Sequence, residues 1–303
     1  MDRQTILIAG ATGNIGGGAA FSLAKRGANV VLLGHKPERL EARANSIRET
    51  LSQDGITGQD AEIATLVVDF SDMESVRLAA AEALGRFPMI HALILSTVAL
   101  VQHGPNILPS GHELMFATNV MGPFLFTQLL LERMQQSDGL VLHIVNPSQR
   151  DIDWDDLESI RNHETELAYE RTKKYHRMIA GEMARRYAGK ISSVAWRPGT
   201  LVIDKADPEL KKRWPSGWMG FFWRVLTLLI AKPPAYAGEP IADLVLSSRD
   251  RSEINGALFK RDKRVEKPDK AMNDQVSGTR LWNELVRLTG LTPDTRGPSP
   301  GAE

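Results

Sequence analysis

The chain has 303 residues, 42% of them hydrophobic and 24% charged, and its 37 basic side chains balance 37 acidic ones. A net charge of zero argues against nucleic acid as a general partner, because phosphate binding needs a basic surplus. The chain has no cysteine, which excludes disulfides and thiol nucleophiles, and its seven histidines show no metal-binding spacing, so we expect no metal site. Strand-like sequence begins by residue 5, so we expect no signal peptide or amino-terminal anchor and a cytoplasmic location.

The chain begins with a short apolar, β-branched segment, Gln4 to Gly10, that is typical of a buried strand. A glycine-rich turn and an apolar helix to about Gly27 follow. Strand, turn and helix in this order form the arrangement that binds dinucleotides, because glycines let the backbone approach a pyrophosphate at the helix amino terminus. The candidate cofactor-binding residues of the turn are Gly10, Thr12, Gly13, Asn14, Ile15 and Gly16.

The second predicted strand, Ala28 to Gly34, leads into the basic residues His35, Lys36 and Arg39. In an NAD-binding βαβ unit, an Asp or Glu at the end of this strand binds the ribose 2′-hydroxyl. Here the strand ends without an acid and its neighbours are basic, which favours a 2′-phosphate and hence NADP(H) over NAD(H). The alternative is a solvated basic helix start, although acidic side chains are normally preferred at that end of a helix.

Strands and helices alternate along most of the chain. Further strands are predicted near residues 62–68, 90–96, 140–145, 191–196 and 256–260. Helices are predicted near residues 37–52, 71–85, 111–136, 168–188, 234–247 and 274–288. This alternation predicts an α/β fold with one doubly wound parallel sheet of about seven strands, flanked by helices, that binds ligands at the carboxyl ends of its strands. No second core is evident, so residues 1–290 are predicted to form a single domain, with a flexible tail at 291–303.

Residues 1–200 form the predicted cofactor-binding and catalytic core, and residues 201–235 form a predicted substrate lid. The lid contains the apolar, aromatic segment Trp214 to Ile230, which is shorter than the roughly 20 apolar residues of a membrane span. We therefore expect no integral membrane segment. The segment predicts a hydrophobic small-molecule substrate, and its alternatives are a homodimer surface or membrane docking.

Tyr169 and Lys173 lie four residues apart in the predicted helix 168–188, so both side chains can address one small volume. A nearby positive charge favours the phenolate and is expected to lower the tyrosine pKa towards the range where proton transfer is useful. Alone, such a pair arises by chance in many proteins, and its weight depends on the rest of the chain.

Several segments together are similar to one family. They are Val68 to Arg77, Gly111 to Phe116 followed by Asn119 and Gly122, Trp154 to Leu157, Tyr169 with Lys173, Pro198-Gly199, and Gly256 to Phe259. By their order and spacing over about residues 5–290, the chain resembles the short-chain dehydrogenase/reductase family, and within it the retinol-dehydrogenase-like branch. The resemblance implies a Rossmann-type sheet and an NADP(H)-dependent carbonyl reductase or alcohol dehydrogenase.

The resemblance also implies residue roles. Tyr169 would donate a proton to a carbonyl or accept one from an alcohol, and Lys173 would lower the tyrosine pKa and hold the nicotinamide ribose. Ser148 would hydrogen-bond the substrate oxygen, and Asn119 would seat a water in a proton relay. Further cofactor contacts are implied at Asp69, Phe70, Ser96, Thr97, Pro198, Gly199 and Thr200.

Three features depart from the family pattern. Leu95 to Val98 replaces the usual Asn-Asn-Ala-Gly, and the glycine spacing of the first turn is similar to the epimerase-like branch. The usual Ser-Ser pair is Ser148-Gln149 here, so Gln149 could occupy the catalytic position, where it can donate a hydrogen bond but has no hydroxyl. These departures leave two alternatives open: a catalytically silent NADP(H)-binding sensor or scaffold, and an epimerase or dehydratase.

Overall fold

The computed structural model describes residues 3–55, 61–100, 104–200, 202–203, 231–247, 250–267 and 269–292. Its centre is one eight-stranded sheet in the order β3-β2-β1-β4-β5-β6-β7-β8. The strands are β1 (Thr5–Ala9), β2 (Asn29–Gly34), β3 (Ile63–Val67), β4 (Ala92–Leu95), β5 (Leu140–Ile144), β6 (Ser192–Arg197), β7 (Leu258–Lys260) and β8 (Lys263–Arg264). All neighbours pair in parallel except β7 and β8, which are antiparallel. The predicted doubly wound parallel sheet is confirmed.

Helices cover both faces of the sheet. They are α1 (Asn14–Lys25), α2 (Pro37–Gln53), α3 (Met73–Arg86), α4 (Leu114–Gln135), α5 (Thr165–Arg186), α6 (Ala235–Leu246), α7 (Arg251–Ile254), α8 (Lys270–Asn273) and α9 (Gln275–Leu288). Because the β4 and β5 side chains are buried on both faces, these strands consist almost entirely of apolar residues. Helices α3, α4, α5 and α9 pack against one face of the sheet around one apolar core. Helices α1, α2 and α6 pack against the other face around a second.

The sequence pattern missed local features rather than the architecture. β8 consists of two exposed residues, too few and too polar to show a strand period. The long predicted helix 111–136 begins later, at Leu114, and Ala117–Met121 forms a π-helical turn within it. The predicted lid falls largely on residues 201 and 204–230, and the tail on 293–303, so both lie outside the described residues.

Helix α4 is long and apolar enough to cross a membrane by length and composition, and it is the only such helix in the described ranges. Of its most apolar window, 78% is buried inside the protein. Its ring contacts explain this burial. Phe124 packs edge-on against Trp282 of α9, with ring centroids 4.9 Å apart, and Phe126 packs against Phe70 at 5.7 Å. The apolar side chains of α4 therefore pack in the core of the protein.

Candidate active site

The glycine turn lies at the carboxyl end of β1, where the strand order reverses between β1 and β4. Gly10 has φ +77°, and a Cβ there would lie 2.6 Å from the carbonyl oxygen of Ser96. A Cβ on Gly16 would lie 2.4 Å from the carbonyl oxygen of Gly10. Only glycine fits these two positions, and the bare backbone at the start of α1 forms the cradle that a pyrophosphate requires.

The other residues of the turn have distinct surroundings. Asn14 begins α1 and donates its Nδ2 hydrogen bond to the Val202 carbonyl at 3.1 Å, which ties the turn to the chain beyond β6. Ile15 packs against the core as a partly buried side chain. Across the turn, the buried Thr97 Oγ1 has no hydrogen-bond partner. An unpartnered hydroxyl beside a glycine cradle fits a nicotinamide cofactor, which would satisfy such a group.

The three predicted basic residues lie together at the end of β2. His35, Lys36 and Arg39 are all exposed, and no ion pair joins them to another residue in the part of the chain that the structure describes. The sequence reasoning missed a fourth cation, Arg43, one helical turn beyond Arg39 on α2. Its Nη2 lies 3.5 Å from the Thr12 carbonyl oxygen, and its guanidinium lies beside Gly17 in the first turn of α1.

The remaining predicted cofactor contacts lie at carboxyl ends of strands. Asp69 follows β3, is exposed, and accepts hydrogen bonds from the amide and hydroxyl of Ser71. Phe70 is 3% exposed and its ring lies in the core, so its side chain is not available to a cofactor. Ser96 follows β4, and its amide donates to the Ala9 carbonyl at 3.0 Å. Pro198, Gly199 and Thr200 follow β6.

Tyr169 and Lys173 share one face of α5, as their spacing predicts. The Lys173 ammonium lies 5.7 Å from the centroid of the Tyr169 ring. Lys173 is 3% exposed and donates a long hydrogen bond of 3.4 Å to the carbonyl of Ile144, the last residue of β5. Helix α5 therefore holds the pair beside the carboxyl end of the sheet.

The protonation behaviour of the pair differs from the expectation. Burial raises the pKa of Tyr169 above its ordinary value, so the lowering expected from Lys173 does not prevail. Burial also lowers the pKa of Lys173 to about 8, because its charge lies in a poorly solvated place. At neutral pH the pair thus consists of a phenol and an ammonium.

Asn119 lies in the π-helical turn and is fully buried. Its side-chain Oδ1 accepts from the Ala99 amide at 2.6 Å, and its Nδ2 donates to the Ala99 carbonyl at 2.9 Å. The side chain therefore fixes the segment after β4. The backbone carbonyl of Asn119 accepts from His176 Nε2 at 2.5 Å. The imidazole of His176 thus occupies one of the two lone pairs of this carbonyl.

His176 belongs to a buried hydrogen-bond chain that sequence reasoning did not find. A carbonyl only accepts, so His176 Nε2 carries a hydrogen and its Nδ1 is an acceptor. His143 Nδ1, 3.2 Å away, is then the donor, and His143 Nε2 accepts from the Ser193 hydroxyl at 3.3 Å. Burial, together with the Lys173 charge, lowers the pKa of His176 to about 3, and burial keeps the pKa of His143 well below its ordinary value. Both imidazoles are therefore neutral, with fixed tautomers.

The loop after β5 carries Ser148 and Gln149. Ser148 is 6% exposed, and its Oγ accepts from the Arg150 amide at 3.3 Å, whereas Gln149 is exposed. Both residues line a cavity of about 380 Å³ together with Glu170 of α5, one residue beyond Tyr169. The structure brings both candidates to the same opening.

Known proteins are similar in sequence to this chain over most of its length. A family model described as short chain dehydrogenase matches residues 4–149. Retinol dehydrogenase 13 of Homo sapiens is 30% identical over 302 residues, which cover 95% of this chain and 85% of that protein. Retinol dehydrogenase 14 of Mus musculus is 32% identical over 303 residues, which cover 96% and 87%. The chain belongs to the short-chain dehydrogenase/reductase family.

Solved structures agree with this family fold. L-sorbose reductase from Gluconobacter frateurii, complexed with NADPH and L-sorbose, superimposes with a TM-score of 0.63 at 18% identity, covering 88% of this chain and 98% of that one. The predicted resemblance to the retinol-dehydrogenase-like branch is confirmed by the two relatives above. The residues near the site that sequence reasoning missed are His143, His176 and Arg43, whose contacts cross 30 residues or more.

Proposed function

We propose that the chain is an NADP(H)-dependent oxidoreductase that interconverts a carbonyl and an alcohol on a fairly hydrophobic small molecule. The observation that carries the proposal is the pairing of Tyr169 with the buried Lys173 at the carboxyl end of β5. A phenol and an ammonium on one helical face give a proton donor beside a fixed positive charge. Membership of a family of oxidoreductases supports the same chemistry.

In this scheme Tyr169 donates its proton to the substrate carbonyl oxygen, and Ser148 or Gln149 orients that oxygen by hydrogen bonding. The bound nicotinamide would supply the hydride. Tyr169 of the free protein is a phenol at neutral pH and so carries the proton that reduction requires, although burial raises its pKa and makes it a weaker donor. Lys173 then stabilises the phenolate that remains after transfer.

The preference for NADP(H) is supported by Lys36, Arg39 and Arg43 at the end of β2 and beside the glycine turn. A 2′-phosphate would supply the anion for cations that have no ion-pair partner among the described residues. The L-sorbose reductase that shares the fold is complexed with NADPH. The aromatic segment Trp214 to Ile230 supports a fairly large apolar substrate.

The test is oxidation of NADPH by the purified protein with a panel of apolar aldehydes and ketones, compared with Tyr169→Phe. We expect the variant to lose roughly 10²- to 10⁴-fold in kcat, since it lacks the donor hydroxyl. NADPH affinity should be unchanged, because the substitution removes a single oxygen. Full activity of Tyr169→Phe would exclude the assigned role.

A second candidate is a dinucleotide-binding protein without turnover. It is favoured by the His176 imidazole, which occupies one of the two lone pairs of the Asn119 carbonyl and leaves only the other for a water. Tight NADPH binding without turnover on any carbonyl or alcohol would support it. Product formation with no net change in NADPH absorbance would instead indicate an epimerase or dehydratase.

A further inference from the structure

Arg177 of α5 connects the candidate catalytic helix to the loop after β5. It lies one helical turn beyond Lys173 and two turns beyond Tyr169, and it is 3% exposed. Its Nη2 donates a hydrogen bond to the backbone carbonyl of Ser148. We propose that Arg177 is a positioning residue that holds the 146–150 loop, and with it Ser148, in register with Tyr169. The proposal rests on the proposed function.

Arg177 is itself held by the carboxyl-terminal part of the chain. Its Nη1 forms an ion pair with Asp269 at 2.7 Å, and the two side chains are only 4% and 10% exposed. Asp269 in turn accepts from the amides of Ala271 and Met272 at 3.0 and 3.1 Å, at the start of α8. A buried cation needs such a partner, so Asp269 fixes the direction in which Arg177 points.

The loop depends on this contact because packing does not hold it on that side. A cavity of about 570 Å³ lies beside the loop, and its lining includes Ser148, Gln149, Arg177 and Asp269. Without the bond from Arg177, the Ser148 carbonyl would face this space and the loop could move into it. Two further contacts fasten the loop, from Lys174 to the Arg150 carbonyl at 2.8 Å and from Arg150 to Glu170 at 2.9 Å. Both are exposed and therefore weaker.

Asp269, Arg177 and Ser148 are thus joined in series, by the ion pair of Arg177 with Asp269 and its hydrogen bond to the Ser148 carbonyl. The Ser148 carbonyl is fixed from α5, and the Ser148 hydroxyl or the Gln149 amide is thereby directed at the substrate oxygen. Arg177 does not touch the reacting atoms, and its effect on turnover passes through the residue that does. Chain segments about 90 residues apart therefore set the geometry of the candidate site.

The test compares Arg177→Lys with Arg185→Lys. Lysine at 177 keeps the charge opposite Asp269 but loses the fork that also reaches Ser148. Arg185 is the matched control: it lies on the same helix, pairs with Glu182 and donates to the Met272 carbonyl at 2.9 Å, yet has no contact with the loop. We expect kcat to fall at least tenfold in Arg177→Lys with unchanged NADPH affinity, and less than twofold in Arg185→Lys.

Double variants then identify the residue through which Arg177 acts. If it acts through Ser148, Arg177→Lys should change turnover by less than twofold in a Ser148→Ala background and retain its full effect in a Gln149→Ala background. The reverse pattern assigns the role to Gln149 and still supports positioning. An equal effect in both backgrounds, or unchanged kcat in folded Arg177→Lys, would overturn the proposal.

Amide hydrogen exchange gives a readout that does not need turnover. The amides of Asn146, Ser148, Gln149 and Arg150 should exchange at least tenfold faster in Arg177→Lys than in Arg185→Lys. Asp269→Asn retains an acceptor for the α8 amides but removes the charge that pairs with Arg177. It should also make exchange in the loop faster, and it replaces Arg177→Lys in the test if that variant does not fold. Equal exchange in all variants would exclude the positioning role. If the wild-type protein shows no turnover but the variants show this exchange pattern, the proposed function is contradicted and the positioning of the loop remains supported.

Discussion

His176 Nε2 donates a 2.5 Å hydrogen bond to the backbone carbonyl of Asn119, and so joins α5 to the π-helical turn of α4 beside Lys173. This bond determines both tautomers of the buried His143–His176 pair. It also means that a water would have to share the Asn119 carbonyl with an imidazole. The consequences can be tested by measuring the stability of the protein and the dependence of that stability on pH.

We predict that His176→Gln is more stable than His176→Leu, because glutamine can still donate to the Asn119 carbonyl. Leucine leaves that carbonyl and His143 Nδ1 without partners, at an expected cost of about 1–3 kcal/mol each. Chemical denaturation at pH 7 measures the difference. Equal stability of the two variants would show that the hydrogen bond contributes nothing.

The same pair gives an acid-sensitive contribution to stability. Because burial lowers the pKa of His176 from 6.5 to about 3, the unfolded chain binds the proton more readily. The contribution is complete above pH 6.5 and is lost as pH falls from 6.5 towards 3. The stability of wild type relative to His176→Gln should therefore decrease across this range. The exposed His35, changed to Gln, provides the control, and a pH-independent difference would contradict the prediction.

Replacing Lys173 by Met should abolish turnover and stabilise the protein. Burial lowers the folded pKa of Lys173 from 10.5 to about 8, so an ammonium in this place opposes folding by up to about 3 kcal/mol at pH 7. The wild type regains that amount as pH rises from 8 to 10.5, whereas Lys173→Met should not. Thermal unfolding of both proteins between pH 7 and 10.5 measures the effect. A destabilised variant at pH 7 would show that Lys173 is better satisfied than its burial indicates.

The basic residues at the end of β2 should select the phosphorylated cofactor. Charge-assisted hydrogen bonds contribute about 1.5–3 kcal/mol each, so Lys36→Ala combined with Arg39→Ala should weaken NADPH binding roughly 10²- to 10⁴-fold. NADH binding should change little. Arg43→Gln should act in the same direction and shows whether the cation over the glycine turn takes part. Fluorescence titration of wild type and both variants with NADPH and NADH measures these affinities, and an equal loss for NADH and NADPH would exclude a 2′-phosphate site.

Gly16→Ala should remove cofactor binding. The added Cβ would lie 2.4 Å from the Gly10 carbonyl oxygen, so the turn must shift, at an expected cost of roughly 1–3 kcal/mol. Gly85→Ala in α3 is the matched control, since a Cβ there meets nothing within 4 Å and alanine favours a helix by about 0.5–1 kcal/mol. If Gly16→Ala bound NADPH with wild-type affinity, the glycine turn would not be the site that binds the pyrophosphate.

The sequence allowed the fold to be predicted because its signals are local. β1, β2 and the glycine turn are continuous in the chain, and so is the spacing of Tyr169 and Lys173. The contacts that refine the site, in contrast, join residues that are far apart in the sequence. Arg177 and Asp269 are 92 residues apart, and His176 meets Asn119 across 57, so no periodicity within one element marks them. The raised pKa of Tyr169 likewise depends on burial, which a four-residue spacing does not describe.

The packing of α4 has a consequence for synthesis of the chain. Phe124 finds its ring partner in Trp282, more than 150 residues later. At roughly 5–20 residues per second, a ribosome needs about 8–30 s to deliver that partner. Throughout that interval, a helix apolar enough to resemble a membrane span is without α9, one of the helices that cover it. Chaperones that bind exposed apolar helices on the ribosome should therefore engage this segment before the domain closes over it.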